Sequence, residues 1–120
     1  MEISKIHDIS VLHLFGEVSF LEMDQIERTL VSLRQAQHHN VLIDMNSVDH
    51  IHYRIIKRLV RSAFEFRHQA GDIKLARLNP ETKQVIKFTG ADQVLEDYAT
   101  ISEAILSFLN KVDSETKIYQ

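Results

Sequence analysis

The chain has 120 residues, 44% of them hydrophobic and 26% charged, with a formal net charge of −3; that length supports one hydrophobic core and leaves no room for two ordinary domains. The balance is that of a folded globular chain, and the absence of cysteine excludes disulfide frameworks, thiolate metal sites and cysteine nucleophiles. The net negative charge argues against general affinity for nucleic acid, and no apolar run approaches the roughly 20 residues that span a bilayer, so neither nucleic acid nor direct membrane insertion is expected.

The opening Met1 to Ile6 has no charged region followed by an apolar one, which predicts a cytoplasmic protein that is not exported. Ile3 to His7 and Val11 to Phe15 predict two strands, with Asp8 to Ser10 as the turn of a hairpin. From Leu21 the period changes: Met23, Ile26, Leu30 and Leu33 recur at helical spacing, which predicts an amphipathic helix ending near His38. Val41-Leu42-Ile43 is a short unbroken apolar run, as expected of a central strand covered on both faces, and the residues from Asp44 to Asp49 read as a strand-to-helix loop.

A second helix is predicted from Tyr53 to Gln69, with Ile55, Ile56, Leu59, Val60, Ala63, Phe64 and Phe66 as a wide apolar face and Gly71 just past its end. Ile73 to Leu78 follows as a strand. Asn79-Pro80 starts a third helix, with proline where its missing N–H costs nothing, Val85, Ile86 and Phe88 as its buried side and Gly90 as its stop. After a short segment around Val94 to Tyr98, a last helix carries Ile101, Ala104, Ile105, Phe108 and Leu109, capped by Thr100 with Glu103 three residues on. Alternating strands and helices of this kind predict an α/β layer fold, and the opening hairpin makes its sheet mixed.

Three stretches go further than periodicity. Val11 to Val18 reads V-L-H-L-F-G-E-V, and Val41 to Ile51 reads V-L-I-D-M-N-S-V-D-H-I. Phe88 to Val94 reads F-T-G-A-D-Q-V and is followed by Tyr98 and Glu103-Ala104-Ile105. In this order and spacing they resemble the STAS family, named for sulphate transporters and anti-sigma factor antagonists, over most of the chain from Val11 to Leu109. The resemblance implies a STAS-like mixed sheet of about four to five strands with about four helices, one domain over residues 1–110 and a polar tail over 111–120.

It also implies a function: a regulatory module without catalysis or cofactor, whose partner is a protein of the kinase-type anti-sigma factor class, with a homodimer left open. Two alternatives share the family: an accessory subunit of a membrane transporter or its ATPase, and a scaffold subunit of a signalling complex. In anti-sigma factor antagonists the position equivalent to Ile51 is followed by aspartate, serine, serine or threonine, and glycine, and a hydroxyl there is phosphorylated by the partner kinase. Here the residues are His52-Tyr53-Arg54-Ile55. By this alignment His52 replaces the aspartate and Arg54 replaces the phosphoacceptor, so a phosphorylation cycle at this turn is not expected.

The second helix carries Arg54, Lys57, Arg58 and Arg61 near its N-terminus, where the backbone already presents about half a positive charge and each cation costs on the order of 0.3 to 1 kcal/mol. Stability does not select that arrangement. It predicts a partner-binding surface of Asp49, His50, His52, Tyr53, Arg54, Lys57, Arg58 and Arg61, suited to an acidic face or a phosphate-bearing ligand. His38, His39, His50, His52 and His68 are metal-competent in type, but lie at opposite ends of one strand or apart from it, and no metal is expected. Asp44 and Asp49 lack an accompanying nucleophile and are read as turn-forming and capping residues.

Overall fold

Helical and strand periods alternate along the chain, and the computed structural model converts that alternation into layers. It describes the backbone of residues 1–118 and the side chains of residues 1–110. Strands β1 (Glu2–Ile6) and β2 (Ile9–Val18) form the antiparallel hairpin. β2 then pairs in parallel with β3 (Asn40–Ile51), β3 with β4 (Asp72–Ala76), and β4 with the short β5 (Asp97–Tyr98). Helices α1 (Phe20–Gln35), α2 (Tyr53–Arg67) and α3 (Pro80–Thr89) occupy the connections, and α4 (Ile101–Ile118) closes the chain. Among the described residues these four helices and the mixed sheet, in the order β1-β2-β3-β4-β5, are the expected architecture.

Side chains alternate across a strand, and β3 shows the consequence. Val41, Ile43 and Met45 enter the core built with α1, α2 and α3, whereas Leu42 packs with Ala104, Ile105 and Phe108 of α4 on the opposite face. Cover on both faces is why the run Val41-Leu42-Ile43 is apolar without a break. Lys74 of β4, on the α4 face, is buried: its Nζ donates to Ser107 Oγ at 2.9 Å and lies 4.7 Å from the Phe108 ring centroid.

The helix ends follow local chemistry. Ser19 Oγ accepts from the Glu22 amide, Asn79 Oδ1 from the Thr82 amide at 2.7 Å, and Thr100 Oγ1 from the Glu103 amide at 3.1 Å. Gly90 ends α3 in the left-handed region at φ 76°. Gly71 has a different reason: a Cβ there would sit 2.0 Å from the His39 carbonyl oxygen. α4 continues past Asn110 to Ile118, beyond the point where the tail was expected to begin; the side chains of residues 111–120, and the polar tail predicted for them, lie outside the described residues.

Two expectations are corrected. Phe64 and Phe88, assigned to buried faces, are 49% and 90% exposed. Each stands two residues from a buried neighbour, Phe66 and Ile86, which is about 200° around a helix, so the inward turn of one directs the other away. The segment Asp44 to Asp49, read as a strand-to-helix loop, is strand, and β3 runs on to Ile51. Two steps along β2, from His13 to Phe15, match three along β3, from Asp44 to Ser47, and a second extra β3 residue falls at Asp49. These two bulges let β3 stay paired with β2 while it bends.

Asp44 fixes the first bulge. It is buried, 4% exposed, and its Oδ1 accepts from the Asn46 amide at 3.1 Å. Arg77 Nε and Nη2 fork onto the two carboxylate oxygens at 3.0 and 2.7 Å, and His13 Nδ1 donates at 2.7 Å while Ser4 Oγ lies 2.9 Å from His13 Nε2. Burial pushes the Asp44 carboxyl up; the Arg77 and His13 hydrogen bonds, with the Asn46 amide, outweigh it and hold it below its ordinary value. Its reading as a turn former is therefore right only in part, because the carboxylate also ties β2, β3 and the residue after β4 together.

A lowered folded-state pKa contributes stability that is present above the unfolded value and is lost as pH falls through the folded one. Asp44→Asn is expected to lower the unfolding free energy at neutral pH by about 2 kcal/mol, less than for a fully buried pair because Arg77 is partly exposed. Urea midpoints measured from neutral pH into acid should show the gap between variant and parent closing.

Candidate protein-docking site

The route to the site begins at the second bulge. Asn79, whose Oδ1 caps α3, donates from Nδ2 to the Val48 carbonyl at 2.9 Å, so one side chain supports both the bulge and the adjoining helix. Buried Ile51 ends β3, and His52, extended at φ −74° and ψ 145°, is the N-cap of α2. Its Nδ1 accepts from the Arg54 amide at 3.1 Å, which in the neutral ring leaves the proton on Nε2. The ring also lies against Phe20 of α1, centroids 5.5 Å apart, and against Tyr53 at 4.4 Å.

The first turn of α2 contains no acidic residue. Arg54 and Lys57 instead lie beside the Tyr53 ring, 5.8 and 5.7 Å from its centroid, and Arg54 Nε donates to Tyr53 Oη at 3.3 Å. Tyr53, Arg54 and Lys57 are all exposed. Packing against a quadrupole supplies each cation with about 0.5 to 1 kcal/mol at an exposed site, comparable with the helix-terminus penalty it offsets.

Arg58 is held differently. Its Nη2 reaches Asp24 at 2.6 Å, and its Nε and Nη2 clamp Glu27 at 2.8 and 2.9 Å. The Glu27 hydrogen bonds raise the guanidinium pKa further and, reciprocally, the Arg58 hydrogen bonds hold the Glu27 carboxyl below its ordinary value. Arg58 thus fastens α2 to α1. Arg61 is exposed beside a cleft that Glu27, Val31 and Glu65 also line, away from the turn. Asp49 is exposed in β3, its carbonyl near Asn79 Nδ2 at 3.4 Å; the cap expected of it is made by His52. His50 Nδ1 pairs with Glu81 Oε1 at 2.9 Å.

Of the eight predicted site residues, the fold therefore gathers His52, Tyr53, Arg54 and Lys57 at the turn, sets His50 and Asp49 on its β3 side, and turns Arg58 and Arg61 toward α1. His50 and His52 engage separate partners, and among the described residues no three His, Asp or Glu side chains converge as metal ligands would. Beside the turn runs a groove of about 440 Å³ lined by His50, Ile51, Tyr53, Gln84, Val85 and Phe88. The contribution of α3 to this surface was missed, because its apolar period marked Phe88 for the interior. With mixed apolar, aromatic and cationic groups and no serine or threonine hydroxyl from His52 to Ile55, the arrangement is suited to holding a surface.

The STAS domain family model matches residues 1–104, and no curated protein matches the sequence. Among solved structures, the fold is similar to that of the unphosphorylated anti-sigma factor antagonist SpoIIAA of Bacillus, with a TM-score of 0.78 and 20% identity over 91% of this chain and 96% of that one. It is similar to an anti-sigma factor antagonist from Mycobacterium paratuberculosis, with a TM-score of 0.77 and 19% identity over 88% and 90%. It is also similar to a SulP transporter STAS domain from Vibrio cholerae, with a TM-score of 0.72 and 16% identity over 92% and 88%.

The cap makes a measurable prediction. His52→Ala should destabilise the protein by about 1 kcal/mol through the lost acceptor, and His52→Asp should recover that loss because a carboxylate both caps the helix and faces its cationic first turn. Guanidinium midpoints with unchanged m-values check this; equal midpoints for the parent and His52→Ala would show that the cap contributes nothing.

Proposed function

The chain belongs to the STAS domain family, and from that membership we propose that it is a non-catalytic regulatory module that docks on a protein partner of the kinase-type anti-sigma factor class without being switched by phosphorylation. The carrying observation is the turn His52 to Lys57. The residue standing for the phosphoacceptor is Arg54, exposed at the second position of α2, with Tyr53 and Lys57 beside it and no serine or threonine between His52 and Ile55. A phosphoacceptor at a helix N-terminus changes sign on modification, gaining about 1.5 to 2 units of negative charge. A guanidinium there is permanently positive. On this reading the module engages its partner constitutively, its availability governed by amount rather than by a phosphate.

Charge complementarity sets the partner's chemistry: carboxylates opposite Arg54 and Lys57, which arginine accepts in a forked geometry. A docking role also accounts for cations kept where the helix dipole disfavours them.

The test mixes the protein with a kinase-type anti-sigma factor of the same organism and ATP. Calorimetry should detect binding that Arg54→Glu weakens by about tenfold or more, equivalent to about 1.4 kcal/mol. The parent should gain no phosphate from His52 to Ile55 in intact-mass and fragment spectra, whereas Arg54→Ser should become a phosphoacceptor. Phosphate on Tyr53 of the parent, or undiminished binding by folded Arg54→Glu, would overturn the reading.

A further inference from the structure

The exposed face of α3 carries a feature that the turn of α2 leaves unexplained. Phe88 is 90% exposed, so folding gains almost nothing from its ring. A lone exposed apolar side chain is ordinary, but Phe88 is not alone: with Ile51, Tyr53 and Val85 it lines the groove between α3 and the start of α2. Phe20, 47% exposed, continues the aromatic surface through its contact with His52. An apolar groove with an aromatic wall and a polar rim is the form of a site that receives an anchoring side chain.

The charges around it are asymmetric. The acidic group at its edge, Glu81, is paired with His50 at 2.9 Å. On the α2 side, Arg54 and Lys57 contact the Tyr53 ring, and no carboxylate lies within 4.0 Å of either among the described residues. The other forked guanidinium groups of the fold, Arg58 and Arg77, are occupied by Glu27 and Asp44. Beside the Tyr53 wall of the groove the surface thus presents exposed positive charge, which an occupant supplying carboxylates would complement.

We propose that the groove between α2 and α3 is the anchor pocket for a segment of a partner protein carrying an aromatic or branched aliphatic side chain flanked by aspartate or glutamate. The anchor inserts between Tyr53 and Phe88 over Ile51 and Val85, and the flanking carboxylates meet Arg54 and Lys57. This rests on reading the α2 turn as a docking surface and extends that surface onto α3, making Phe88 its apolar hot spot.

The experiment selects a displayed library of random peptides on the immobilised full chain and measures the enriched peptides, resynthesised with a fluorophore, by anisotropy. The parent is compared with Phe88→Asp, Arg54→Glu and Leu106→Asp, the last an exposed site on α4 across the sheet, with circular dichroism spectra confirming that all are folded. The expected result is a consensus of one large apolar residue beside acidic ones, whose affinity falls by about tenfold or more in Phe88→Asp and in Arg54→Glu and stays within about twofold in Leu106→Asp. Peptides weakened by Arg54→Glu alone would refute the anchor pocket while leaving the docking turn standing. Peptides indifferent to both variants would refute both, and a basic consensus or no enrichment would refute the pocket. Binding of phosphatidylglycerol vesicles lost in Phe88→Asp would also refute it, by making a lipid surface the occupant.

Discussion

The geometry of this protein depends on one buried carboxylate. Asp44 ends the regular part of β3 on the α4 face, where water is largely excluded, and an isolated charge there would be costly. Arg77, His13 and the Asn46 amide together satisfy it. Because these partners come from the residue after β4, from β2 and from the bulge, the carboxylate fixes where the three neighbouring segments stand. Beyond it β3 is paired only with β2 and bends through its second bulge to Ile51. The start of α2 is aimed by that path, so the exposed turn is positioned by an ion pair at the far end of the bend.

The basic residues divide by what they meet. Arg58 fastens α2 to α1 through Asp24 and Glu27, Arg34 reaches from α1 to Glu65 of α2, and Arg67 pairs with Asp72 at the start of β4. These contacts tie elements together. Among the described residues, the side-chain contacts of Arg54 and Lys57 are with the Tyr53 ring on their own helix. Their chemistry resembles that of the other cations, but their position at the first turn leaves them exposed. One side of this helix thus clamps to α1 while its first turn faces outward.

At that turn a histidine ring nitrogen caps the helix, a carboxylate is absent from its first turn, and the aromatic rings of Phe20 and Tyr53 lie against the cap. In the proposed function, permanent charge in place of a hydroxyl makes the position suited to steady attraction instead of switching. The groove toward α3 adds an apolar surface, which in the proposed docking would supply the selectivity that charge lacks.

How much of this was legible depends on the range of the interaction that decides it. The strand and helix order, the proline at the start of α3, the left-handed Gly90 and the Thr100 cap all follow from residues within a few positions of one another, and each stands where local chemistry put it. The absence of a serine or threonine from His52 to Ile55 was equally plain. Sequence could not separate Arg54 from Arg58, since only the packing of α1 brings Asp24 and Glu27 to one and not the other. Nor could it extend β3 to Ile51, because the pairing that does so is with β2, some thirty residues away. Phe88 was misplaced for the same reason: a helical period tells which residues share a face, and only the neighbouring elements decide whether that face is covered. Local order was thus determined by the chain itself, while the make-up of the candidate surface was decided by contacts between segments far apart in sequence, which no local pattern encodes.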